Sequence, residues 1–113
     1  MAEFTTFKRW RLRDGADERD VVQLVRAAII PAYARLPGCI KLGLLHVDGT
    51  RSYLATQYWE SRAARAEVLG SPAYASWLEA YQPALERWHA IMELEEEWET
   101  EDVLGDAGCL RCY

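Results

Sequence analysis

Hydrophobic and polar positions along the chain change period several times, and each change marks an element. From Phe4 to Arg13 the side chains alternate, with Phe4, Thr6, Trp10 and Leu12 on one face and Arg9, Arg11 and Arg13 on the other. That period of two predicts a half-buried strand. Asp14-Gly15 is a turn signal, after which Asp17 and Asp20 form a capping pair for a helix. Val21, Leu24, Val25, Ala28, Ile29 and Ala32 then recur at helical spacing to about residue 36, with a kink expected at Pro31 because proline lacks a backbone donor. Pro37-Gly38 ends this helix, and Cys39 to Val47 predicts a leucine-rich second strand. Asp48-Gly49 is a hairpin turn, so the third strand, Ser52 to Glu60, should run antiparallel to the second.

Residues 61–69 follow as a short helix behind a serine cap, and Ser71-Pro72 opens a longer one. Tyr74, Trp77, Leu78, Tyr81, Leu85 and Trp88 make a single stripe along it, with a second kink expected at Pro83. A last strand should run from Ile91 to about Asp102. The order β-α-β-β-α-β predicts an α+β, ferredoxin-like domain with a four-stranded antiparallel sheet, its first and last strands side by side. Charge supports that pairing. Glu93, Glu95, Glu97 and Glu99 alternate along the last strand, and carboxylates aligned on one face need opposing cations, which Arg9, Arg11 and Arg13 offer.

Composition then narrows the classes. A chain of 113 residues holds one domain, read here as residues 1–104 with a structureless tail over 105–113. The net charge of −5 argues against nucleic acid, whose phosphates call for a basic patch. Apolar runs fall short of a membrane span and the N-terminus has no leader pattern, so the expectation is a cytoplasmic protein with no membrane partner. Three cysteines without such a leader point to reduced thiols. Cys109 and Cys112 form a Cys-x-x-Cys with no helix after it, and neither a redox dithiol nor a metal site is expected there. Phosphate-loop, nucleophile-elbow and zincin patterns are missing.

The candidates for chemistry are few. Trp59 ends the third strand in Tyr58-Trp59-Glu60-Ser61-Arg62, and its indole N–H is suited to a developing oxyanion or to a packing role with one satisfied donor. His46, the one histidine placed in a strand, is a residue type suited to act as a general base. Tyr58 lies beside Trp59. Trp10, Tyr33, Trp77 and Tyr81 read as core or as the lining of a pocket.

The element order, with Leu36-Pro37-Gly38 before the second strand and Trp59-Glu60-Ser61 after the third, resembles the antibiotic biosynthesis monooxygenase-like family of dimeric α/β barrels. The resemblance spans residues 3 to about 102. It implies a homodimer whose sheets face each other, with a small-molecule cavity between sheet and helices. It also implies, for the quinone-forming members, oxygenation of an electron-rich phenol with neither metal nor flavin, so no cofactor is expected. In the polyketide-oxidising members the Trp59 position belongs to the site, together with an asparagine four residues earlier and a tyrosine six residues later. Here those two positions hold Ala55 and Arg65. A haem-degrading branch would need an asparagine, a tryptophan and a histidine where Lys8, Val68 and Leu78 stand, which disfavours that chemistry. Two readings therefore remain: a cofactor-independent monooxygenase for a small aromatic or phenolic substrate, with Trp59, His46 and Tyr58 at its site, or a non-catalytic dimeric barrel binding a small apolar ligand or a regulatory partner.

Overall fold

A computed structural model describes residues 2–111. Strand β1 (Phe4–Leu12) leads into α1 (Glu18–Leu24), a π-helical turn (Val25–Ile29) and α2 (Ile30–Tyr33). Strands β2 (Cys39–His46) and β3 (Ser52–Trp59) form the hairpin, followed by α3 (Arg62–Leu69), α4 (Pro72–Ile91) and β4 (Met92–Glu101). The sheet order is β2-β3-β1-β4 with every neighbour antiparallel. This is the ferredoxin-like arrangement predicted from the element order.

Local chemistry accounts for the boundaries. Asp17 and Asp20 cap each other's backbone N–H groups at the start of α1, as their spacing predicts. Just ahead of Pro31 the helix leaves α geometry: the Ile30 N–H donates to the Val25 carbonyl, five residues back, in a π turn. Pro83 sits inside a continuous twenty-residue α4. Gly38 turns the chain into β2 at φ +84, where an added Cβ would lie 3.3 Å from the Ala64 methyl. The tail expected to lack structure contains a 3₁₀ turn over Gly105–Gly108. Cys109 is engaged in a disulfide, which corrects the expectation of reduced thiols there, whereas Cys39 is free. Cys112 lies outside the described residues.

Strand register divides the sheet into cross-strand rows, because paired residues share a face. On the helix-covered face the rows are His46–Tyr53–Trp10–Leu94, Leu44–Ala55–Lys8–Glu97, Leu42–Gln57–Thr6–Glu99 and Cys39–Trp59–Phe4–Glu101. The opposite face carries Gly43–Thr56–Phe7–Trp98 at its centre, flanked by Leu45–Leu54–Arg9–Glu96 and Lys41–Tyr58–Thr5–Thr100. Phe7 and Trp98 stack there with centroids 5.4 Å apart.

A bulge alters the expected charge ladder. The β1–β4 register shifts between Arg9 and Trp10, leaving Glu95 between the two registers. Glu93 and Glu96 therefore fall on the open face, whereas Glu97, Glu99 and Glu101 fall on the helix-covered face. The four glutamates do not share one side, because one extra residue inverts the alternation. Ion pairs still link the strands: Arg13 to Glu93 at 3.5 Å, Arg9 to Glu95 at 3.5 Å and Lys8 to Glu97 at 3.9 Å. Arg62 of α3 takes over at the far end, 2.7 Å from Glu101 and 3.5 Å from Glu99.

The core forms two clusters on the helix-covered face. Trp10, Leu12 and Tyr53 of the sheet pack against Val21, Leu24, Ile29, Tyr81 and Trp88. A smaller cluster gathers Phe4 and Trp59 with Leu36 and Val68.

Candidate functional site

Beside the larger cluster the sheet and the helices line a cavity of about 100 Å³. Its floor comes from the two central rows: Leu42, Leu44, Ala55, Gln57, Thr6 and Lys8, with Trp10 at one end. Its roof is Val25 and Ile29 of the π turn, Tyr33, and Tyr81, Leu85 and Trp88 of α4. The extra residue of the π turn is thus spent where the roof is built, a frequent use of such bulges.

Polar atoms within this apolar shell are few and mostly donors. Gln57 is the hub: its amide Nε2 donates to the Tyr33 hydroxyl at 3.2 Å, and its Oε1 accepts from the Trp59 indole at 3.1 Å. Burial of its hydroxyl, followed by the neighbouring Tyr81 and Tyr74, holds the Tyr33 phenol well above its ordinary range. Burial likewise pushes Tyr81 up to about 12, against a smaller opposing effect of Tyr33. Both phenols therefore stay protonated under ordinary conditions. The Trp10 indole nitrogen is buried without a hydrogen-bond partner. Lys8 is the one charged side chain among the described residues of the lining.

The residues selected from sequence are distributed unevenly around this cavity. Trp10, Tyr33 and Tyr81 line it. Trp77 lies outside, with its indole donating to the Ala32 carbonyl at 2.7 Å and its ring stacked between Tyr74 and Tyr81. Trp59 is 1% exposed and belongs to the neighbouring row, so it reaches the cavity only through Gln57. His46 stands at the exposed end of the hairpin, where its Nε2 donates to the Thr50 carbonyl at 2.7 Å. Tyr58 is on the opposite face of the sheet, with the Lys41 ammonium 5.4 Å from its ring centre.

Sequence reasoning missed Gln57 and Lys8. Alternation puts Gln57 on one face with Trp59 and Ala55, and Lys8 on one face with Thr6 and Trp10, but which face meets the helices depends on the register. Among the described residues no group of three or more His, Cys, Asp or Glu side chains is placed to hold a metal ion. No helix is long and apolar enough to cross a membrane.

Known proteins give a consistent picture of the fold. SnoaB from Streptomyces nogalater, described as a cofactor-independent oxygenase, superimposes with a TM-score of 0.64 at 19% identity, covering 88% of this chain and 92% of its own. HapK from Hahella chejuensis gives 0.60 at 17% identity, with coverage of 88% and 92%. A putative antibiotic biosynthesis monooxygenase from Chloroflexus aurantiacus gives 0.59 at 16%, with coverage of 89% and 93%. Among curated proteins no sequence matches. The family model for antibiotic biosynthesis monooxygenases matches residues 4–80, more than half of the sequence, and the chain belongs to that family.

Proposed function

We propose that the protein is a cofactor-independent monooxygenase whose substrate is a small aromatic or phenolic molecule held in the cavity between sheet and helices. The observation that carries this reading is the Trp59–Gln57–Tyr33 relay, which fixes an amide and a phenolic hydroxyl at the edge of a mostly apolar chamber. Fixed donors in a site poor in water stabilise charge that develops during reaction, without reorganisation. The reaction consistent with family membership converts a phenol bearing a C–H into a quinone. The substrate gives up its O–H and C–H protons and four electrons, one oxygen atom becomes the new carbonyl, and the other leaves as water.

Under this reading Trp59 is a positioning residue, since its indole touches Gln57 rather than the cavity. His46 and Tyr58, proposed from sequence as catalytic, lie where they would act only on something outside the cavity. The site is expected to work in a homodimer, with the Phe7–Trp98 face meeting its copy.

Oxygen uptake with single-ring electron-rich phenols tests the proposal. Wild type should consume oxygen above the buffer rate, Gln57→Leu should lose most of that rate, and Trp59→Phe should lose it in part. A wild-type rate equal to that of buffer would overturn it. One observation favours a non-catalytic alternative: the described lining includes no carboxylate or histidine to take a proton. A dimeric barrel that only binds would be stabilised by such phenols without turning them over.

A further inference from the structure

We propose that the cavity selects a single-ring phenolate or enolate that arrives already ionised, and that Lys8 is the residue that selects it. This rests on the ligand-binding reading of the cavity given above. Lys8 is the only charged residue in the described lining, and no Asp, Glu, His or Cys accompanies it. The chamber therefore offers nothing to accept a proton from a neutral phenol, while several groups can hold a negative oxygen. Tyr33 and Tyr81 keep their protons, with Tyr33 hydrogen-bonded to Tyr81 and to Gln57.

Geometry places the cation with room to act. Across β3, Lys8 faces Ala55, whose methyl group leaves the floor open beside the ammonium. Among the described residues its ionic partner is Glu97 of β4, at 3.9 Å, with side chains 42% and 60% exposed. A pair so long and so well solvated restrains Lys8 weakly. The helices opposite present only apolar and phenolic groups to it. Two residues along the same face, Trp10 buries an indole N–H that has no partner. An unpaired buried donor is costly, and an anionic oxygen between Lys8 and Trp10 would satisfy it. The volume of about 100 Å³ is below the roughly 150 Å³ of an apolar cavity known to take benzene, which limits the ligand to a single ring at most.

Titration with 4-nitrophenolate and its neutral methyl ether, 4-nitroanisole, separates charge from shape at a pH where the phenol is ionised. Wild type should bind the phenolate more tightly. Lys8→Met, which keeps an apolar stem, should weaken the phenolate about tenfold or more and leave the ether within twofold, the loss expected for one charge-assisted hydrogen bond. Glu97→Gln, which removes only a weak restraint, should bind the phenolate at least as tightly as wild type, and melting curves would verify that both variants are folded. Equal binding of the two probes by wild type, or an unchanged phenolate affinity in Lys8→Met, overturns the proposal while leaving the cavity reading intact. Failure of wild type to bind either probe removes the cavity reading and this proposal with it.

Discussion

At the scale of single residues, the hydrogen bond between Trp59 and Gln57 ties the end of β3 to the cavity lining. Trp59 is fully buried, so Trp59→Phe keeps most of the apolar packing and leaves Gln57 Oε1 without its donor. The expected cost is about 1–3 kcal/mol of unfolding free energy, read by denaturant melts. Gln57→Leu removes both bonds of the hub and should leave the Trp59 indole unpaired, so the double variant should cost less than the sum of the two. Additive costs would show that the hydrogen bond contributes little. Much of this was legible in sequence: Trp59 stands out by type and position. Its facing was not, because strand parity fixes a face only when the register is known, and Gln57 is an ordinary residue until the pairing Gln57–Thr6 brings it to the floor. His46 stood out by type for the opposite reason, since its place at the hairpin end, bound to Thr50, depends on where β2 stops.

Among the elements, the two ends of the hairpin and the β1–β4 seam are the informative parts. Gly38 and Gly49 both have positive φ, at +84 and +75, but only Gly38 has a neighbour in the way. Gly49→Ala should cost the backbone term alone, about 1–2 kcal/mol. Gly38→Ala should cost more, because its methyl would press on Ala64 and the β3–α3 junction behind Trp59. Melting temperatures of the two variants check the order, and a reversal would show that α3 gives way freely. On the seam, Arg62 makes ion pairs with Glu99 and Glu101 and sits 4.5 Å above the Phe4 ring. Arg62→Ala should lower stability by about 1–2 kcal/mol, with the ionic part shrinking in high salt and the ring contact persisting. The β1–β4 pairing was legible because charge and element order agree on it. The bulge at Glu95 was not, since nothing in the alternating glutamates marks where one residue is left over.

For the whole molecule, stability and assembly each follow from a face. The buried phenols Tyr33 and Tyr81 have folded pKa values raised above the ordinary phenol value of 10.0, so the unfolded chain ionises first as pH rises. Their stabilising contribution is full below about 10 and is lost as pH climbs through the folded value, about 12 for Tyr81. Melting temperature should therefore fall between those limits, and less steeply in Tyr81→Phe. The opposite face is where the proposed homodimer would form. Trp98 is 40% and Leu45 52% exposed on a sheet whose other side already carries the helices. An apolar face of this kind needs a cover. The Gly43–Thr56–Phe7–Trp98 row is suited to meeting its own copy, because a two-fold axis brings the same patch to both sides of the contact. Gly43 supports this shape from within: a side chain there would overlap Thr56 Oγ1. Trp98→Glu puts a carboxylate into the centre of the patch twice per dimer, whereas Trp98→Phe keeps an aromatic ring over Phe7. Sedimentation should therefore give a dimer for wild type and Trp98→Phe and a monomer for Trp98→Glu. A wild-type monomer, or a Trp98→Glu dimer as tight as wild type, would place the contact elsewhere and leave this face to another partner.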